Sequence, residues 1–211
     1  MIEGVYIIPL KRWLVVTYTR SFLLTCDGEI VLVDAGYSPK SAGTILDYVK
    51  KIGRRPEDVS LCILTHHHWD HVGGLKGLKS ACGFKVASHA AEADDVKLSS
   101  GVEVDLKLED GFVLPYCGGI RIVHVPGHTE GNICVFLEGK KALITGDTLF
   151  ASYVREELKP PPERFCVDAS MARKELKKLL DLDVEAVLVS HGKMIYSDGK
   201  EKLRALIQKV S

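Results

Sequence analysis

The sequence predicts an α/β (α+β) fold arranged as a four-layer αββα sandwich, two packed sheets with helices covering their outer faces. Three observations point there. Short apolar or β-branched runs recur along the chain, divided by turn residues. Only a few segments with helical spacing interrupt them. The chain has 211 residues, 46% hydrophobic and 27% charged, which is enough to bury one sizeable core. Residues 1–211 are therefore read as a single domain.

The first strand-like runs are Val5–Ile8, Leu14–Tyr18, Phe22–Thr25 and Ile30–Asp34, and Asp27-Gly28 is a hairpin signal between the last two. A helix follows, because Ala42, Ile45, Leu46, Val49 and Ile52 recur at spacings of three and four, with Gly53 as the stop. Val59–Leu64 is the next strand. Further strands are expected at Lys85–Ser88, Ile120–Val125, Ile133–Leu137 and Ala142–Thr145. Asp168 can cap a second helix that carries Met171, Ala172, Leu176, Leu179 and Leu180 on one face. Val184–Ser190 is a late strand, and the closing helix places Leu203, Leu206, Ile207 and Val210 on its apolar side. The Lys159–Pro162 stretch interrupts regular structure and is too short for an interdomain linker.

Composition narrows the function classes. Lysine plus arginine equals aspartate plus glutamate at 28 each, so there is no basic excess of the kind a dedicated nucleic-acid binder shows. No apolar run reaches the roughly 18 residues a membrane span needs, and the N-terminus has no cleavable signal pattern. A soluble, cytoplasmic protein is the expectation. Cys26, Cys62, Cys82, Cys117, Cys134 and Cys166 are scattered without a C-x-x-C pair. Most of them are expected to be small buried hydrophobes in a reducing compartment.

The chemistry concentrates in THHHWDH, residues 65–71, which holds four of the eight histidines and an aspartate. Strand alternation continuing past Leu64 sends His66 and His68 to one side and His67 to the other. Gly73 and Gly74 force a turn, at which Asp70 and His71 can fold back beside them. Imidazole and carboxylate suit zinc or a similar divalent ion. Four ligands at one corner are too many for a single catalytic ion with open positions, which makes two ions the natural hypothesis.

His66-x-His68-x-Asp70-His71 resembles the signature of the metallo-β-lactamase superfamily, and the rest of that pattern follows in order. Leu32-Val33-Asp34-Ala35-Gly36 closes an early strand, Pro126-Gly127-His128-Thr129 follows a turn, Thr145-Gly146-Asp147 follows another strand, and Ser190-His191-Gly192 ends a late one. The resemblance implies that His66, His68 and His128 hold one metal. It implies that Asp70, His71 and His191 hold a second, with Asp147 bridging the two. Asp34 would order the loops behind the metals. His67 is then a bystander supporting the loop, Trp69 packs or lines the rim, and His89 and His124 are structural.

Two divalent ions, zinc first with iron or manganese as alternatives, would share one water and lower its pKa, so that a bridging hydroxide is the nucleophile. Two dications, Asp70, Asp147 and hydroxide leave a net charge of about +1, which suits an anionic substrate. Asp70 is the nearest proton acceptor. The implied activity is hydrolysis of a small thioester, ester or lactone. True β-lactamases usually lack the bridging aspartate, so Asp147 argues against antibiotic hydrolysis. Twenty residues follow His191, and the helical domain with which glyoxalase II holds glutathione is therefore not expected. Two other enzyme readings stay open, a mononuclear iron persulfide dioxygenase and a phosphodiesterase or nuclease. A non-catalytic module that keeps only the fold fits poorly with a full ligand set. The segment Leu149 to Phe165 is expected to border the pocket, with Tyr153, Arg155 and Arg164 as candidate donors to an anionic substrate. No nucleic-acid or membrane partner is expected, and a homo-oligomer is compatible with the sequence.

Overall fold

The computed structural model describes residues 2–11 and 18–210. The strand expected at Leu14–Tyr18 lies outside the described residues except for Tyr18, which opens a strand. The chain forms two compact units, residues 1–108 and 109–211.

The first unit is a six-stranded sheet with helices. Its strands are β1 (Val5–Lys11), β2 (Tyr18–Cys26), β3 (Glu29–Val33), β4 (Val59–Ile63), β5 (Lys85–His89) and β6 (Leu106–Leu108), ordered β1-β2-β3-β4-β5-β6. The first three pair antiparallel, and β3 to β6 pair parallel. The β2–β3 hairpin turns at Asp27 and Gly28, with φ of 46° and 98°, the left-handed pair the sequence signals. The parallel strands need crossovers. These are α1 (Pro39–Lys51) between β3 and β4, and α2 (Trp69–Val72) with α3 (Leu75–Cys82) between β4 and β5. The third is α4 (Ala93–Ser100), between β5 and β6. Ser38 caps α1 by accepting from the Ser41 amide, and Ala42, Ile45 and Val49 form its buried face. They pack into a core with Leu32, Leu64, Leu75, Leu78 and Val86.

The second unit holds β7 (Val113–Leu114), β8 (Ile120–His124), β9 (Ile133–Leu137), β10 (Ala142–Ile144), a small hairpin of β11 (Phe150–Ala151) and β12 (Leu158–Lys159), α5 (Ala169–Glu175), β13 (Ala186–Leu188) and α6 (Gly199–Val210). Its main sheet is ordered β13-β10-β9-β8-β7, with only β13 and β10 parallel. All five residues of β9, a central strand, are buried, which accounts for its unbroken apolar sequence.

Most expected elements stand where the sequence put them. Asp168 does cap α5, its carboxylate accepting from the Met171 amide at 2.8 Å. Met171 nonetheless is 43% exposed, because the face that is buried runs through Ala172, Leu176 and Leu179, and Met171 lies one residue off it. Helices α2, α3 and α4 and strands β6, β7, β11 and β12 are additions to the sequence reading. They are short, two to eight residues each, so periodicity has little to act on.

Two glycines separate backbone necessity from helix propensity. Gly127 has φ of +121°, and a Cβ there would collide with the backbone of Ala172. Gly43 lies in α1 with open space around the position of a Cβ. Gly127→Ala is expected to lower the unfolding free energy by more than about 1 kcal/mol, and Gly43→Ala to raise it by roughly 0.5–1 kcal/mol. Urea denaturation of the two variants checks both signs.

Candidate metal centre

In the first unit the parallel register brings the ends of β3, β4 and β5 to one edge of the sheet. The residues that leave those ends are Asp34, the run Thr65–His71, and His89 with the turn that follows it. Asp34 is fully buried and adopts a left-handed φ of 62°, which is costly for a residue with a Cβ. Its carboxylate is correspondingly well bound. Oδ1 accepts from the Thr65 amide at 2.8 Å, and Oδ2 accepts from the Thr65 hydroxyl at 2.9 Å and from His71 Nδ1 at 2.8 Å.

These bonds assign histidine tautomers. His71 donates through Nδ1, which leaves its Nε2 with a lone pair. Thr65 Oγ1 lies 3.0 Å from His66 Nδ1, and its single proton goes to Asp34. It therefore accepts from His66, and His66 Nε2 also carries a lone pair. One carboxylate, directly and through Thr65, thus orients the Nδ1 edge of both imidazoles. His68 packs against His66, ring centroids 4.7 Å apart at 80°, and Asp70 Oδ2 lies 3.6 Å from His71 Nε2.

His67 faces elsewhere, as alternation requires. Its Nδ1 is 2.6 Å from Glu92 Oε2, and its backbone amide donates to the same oxygen at 3.0 Å. The hydrogen bond to Glu92 raises the His67 pKa above the usual imidazole value, with burial opposing and the charges of Glu92 and Asp95 assisting. Trp69 is half exposed and meets Tyr37 edge-on at 6.0 Å.

The second unit repeats the device. Strands β10 and β13 are parallel, so the residues after them, Asp147 and His191, leave the same edge. Antiparallel pairing with β9 returns the β8–β9 loop, which carries His128, to that edge. Asn132 secures the loop, its Nδ2 donating to Val125 O at 3.0 Å and to Thr148 Oγ1 at 2.6 Å. Asp147 Oδ1 lies 3.3 Å from His191 Nε2, and Oδ2 lies 3.7 Å from His128 Nε2, one carboxylate oxygen beside each imidazole. The Phe150 ring stacks on His191 at 5.0 Å and 12°.

The donor chemistry fits divalent cations. Two ligands of one ion at 2.0–2.2 Å in tetrahedral array stand about 3.3–3.6 Å apart, close to the 3.3, 3.6 and 3.7 Å separations within the two units. Cysteine offers no competing set. Burial pushes the Cys134 thiol up to about 12 and Cys82 to about 11. Cys62, Cys82, Cys134 and Cys166 are free thiols. His89 and His124 are structural: His89 Nδ1 accepts from the Ala91 amide, and His124 Nε2 donates to Glu130 O.

The sequence profile of the metallo-beta-lactamase superfamily matches residues 14–191. The chain belongs to that superfamily. It is 38% identical over 117 residues to a hydroxyacylglutathione hydrolase of Methylococcus capsulatus, covering 56% of this chain and 43% of that protein. It is 29% identical over 201 residues to the probable metallo-hydrolase YflN of Bacillus subtilis, covering 78% of this chain and 75% of that one. The chain thus spans less than half the length of the hydroxyacylglutathione hydrolase it matches. A solved metallo-beta-lactamase from Pontibacter korlensis superposes with a TM-score of 0.77 at 20% identity, over 99% of this chain and 96% of that one. A family protein of Thermus thermophilus gives 0.75 at 22%, over 98% and 79%. At such identities the likeness establishes the metallo-beta-lactamase fold.

The candidate substrate contacts lie at the surface. Tyr153 and Arg155 lie on the exposed turn between β11 and β12, whose base is tied to the metal-ligand candidate His191 by the Ala151 amide donating to His191 O at 3.0 Å. Arg164 is exposed and rests its guanidinium over the Phe165 ring. Sequence reasoning missed Thr65, Asn132 and Glu92 as organisers of the loops. The sequence marks Glu92 only as an acid shortly after the expected Lys85–Ser88 strand.

The raised His67 pKa has a stability consequence. The His67–Glu92 pair stabilises the fold fully below about pH 6.5, the unfolded value, and that contribution is lost as pH rises through the higher folded value. His67→Gln, which cannot charge, is expected to lose that part of the pH dependence. Melting temperatures of both proteins from pH 5 to 9 should converge toward the alkaline end, and parallel curves would refute the linkage.

Proposed function

We propose that this chain is a metal-dependent hydrolase of small thioesters, esters or lactones, acting as a single metallo-β-lactamase-fold domain. The observation that carries the reading is Asp147, whose two oxygens each stand beside a different imidazole. In this reading His66, His68 and His128 hold one divalent ion, Asp70, His71 and His191 hold another, and Asp147 serves both. Zinc is the first choice, with iron or manganese compatible with the donors. Bound ions would lower the pKa of water and polarise the scissile carbonyl.

The chain's own residues supply the rest. Asp34 and Thr65 hold His66 and His71 in the ligating tautomer, and Phe150 fixes the plane of His191. Asp70, partly exposed beside the buried His71, takes the proton released by the attacking water. Support for a thioester comes from the hydroxyacylglutathione hydrolases among the relatives, and support for a metal-dependent hydrolase from YflN. Among the described residues no helix is long and apolar enough to cross a membrane.

Elemental analysis of the purified protein, followed by turnover on thioesters, lactones and phosphodiesters, tests the reading. Absence of stoichiometric metal, or activity on phosphodiesters alone, would overturn it. A comparison of kcat/KM on a glutathione thioester and a smaller thioester with the same acyl group then locates the substrate.

Two variants give sharper outcomes. His68→Ala should lose metal substantially while His67→Ala, which keeps its backbone amide bond to Glu92, retains it, as measured by metal-to-protein ratio, and equal loss would contradict the assignment. Asp147→Asn should stay folded by circular dichroism yet lose at least about 100-fold in turnover, because a neutral amide cannot serve two cations as a carboxylate does.

A further inference from the structure

We propose that Glu92 is a positioning residue for the histidine loop, clamping it at His67 so that His66 and His68 on either side are held in ligating orientation. The proposal rests on the reading of His66 and His68 as metal ligands and adds a residue outside the ligand signature.

The geometry is specific. Glu92 is 1% exposed, and its Oε2 accepts two hydrogen bonds from one residue, the His67 amide at 3.0 Å and the His67 ring at 2.6 Å. A buried carboxylate is tolerated only where donors replace its hydration, and both of these donors belong to the residue between two candidate ligands. The amide bond fixes the peptide plane joining His66 to His67. The ring bond fixes the side chain that alternation turns away from the ligands.

The platform beneath Glu92 is built for this. Strand β5 lies parallel beside β4, so the turn leaving β5 emerges next to the histidine loop. His89 is buried, 7% exposed, and it caps that turn by accepting from the Ala91 amide at 3.2 Å. Glu92 then stands directly before α4, at a helix N-terminus that favours a carboxylate. On the opposite flank, Asp34 holds Thr65 from the end of β3. The loop is thus pinned at Thr65 and at His67, and His66 lies between the pins.

This clamp acts through position, which separates it from a general effect of charge. Glu92→Gln keeps a carbonyl oxygen at the same reach, Glu92→Asp keeps the charge but withdraws the acceptor by one methylene, and Glu92→Ala removes it. The test is Co²⁺ titration of the full chain, reading the dissociation constant by competition with a chelator and the ligand field by visible absorption. Circular dichroism and melting temperature are recorded for each metal-free protein. The expected order is wild type and Glu92→Gln within about threefold, with Glu92→Asp and Glu92→Ala weakened about 10–100-fold and their cobalt spectra altered while they remain folded. A Glu92→Ala protein with the wild-type constant and spectrum would overturn the proposal while leaving the metal reading intact. Should Glu92→Ala fail to fold, the order of the other two decides, and Glu92→Asp binding as tightly as Glu92→Gln would overturn it. Wild type that takes up no cobalt would overturn the metal reading and this proposal with it.

Discussion

The parallel pairing of β3, β4 and β5 is the constraint from which the first unit's chemistry follows. Parallel neighbours point their carboxyl ends the same way, so three consecutive loops leave one sheet edge at roughly strand spacing, about 4.8 Å apart. The central loop carries His66, His68, Asp70 and His71, and each outer loop carries a buried carboxylate that reaches it, Asp34 from one side and Glu92 from the other. In the second unit the parallel pair β10 and β13 does the same for Asp147 and His191. Ligands gather at the carboxyl ends of parallel strands because that is where neighbouring loops are adjacent without having to cross.

The division of labour between the carboxylates is electrostatic. Asp34 is buried with three donors on it, and its charge is used to choose tautomers and hold a backbone conformation that would otherwise be unfavourable. Asp70 and Asp147 keep oxygens next to imidazole Nε2 atoms, where a cation would complete the charge balance. Same residue type, different surroundings: one acid is saturated by donors of its own loops, and the others face imidazole nitrogens.

Much of this could be read from the sequence, and for identifiable reasons. The long runs at Ile30–Asp34, Val59–Leu64 and Ile133–Leu137 are buried strands whose apolar continuity reports burial directly. The spacing of His66, His68, Asp70 and His71 is local, so alternation alone separates His67 from its neighbours. What escaped is what depends on distant pairing. Glu92 looks like any helix-start acid until β5 is placed beside β4. The role of Thr65 depends on Asp34, 31 residues away. Helix α3 buries only Leu75 and Leu78, too few positions for a period to emerge. Met171 illustrates the reverse error, a residue of apolar type placed one position off the face that Ala172, Leu176 and Leu179 bury.

The distances along the chain between the histidine loop and its two anchors bear on how the protein assembles. Asp34 and His71 are 37 residues apart, and His67 and Glu92 are 25 apart. An extended chain therefore presents His66, His68, Asp70 and His71 close together but with free ring rotation and unassigned tautomers. Only after the crossover helices have delivered β3 and β5 to the sides of β4 does the loop acquire its two fixed points. A small zinc module gathers its ligands around the ion and folds as it binds. Here the order runs the other way: non-local strand pairing, the slow step in folds of this kind, must precede a high-affinity site. Nascent or partly unfolded chains would hold metal weakly, and the metal would act as a lock on a finished sheet.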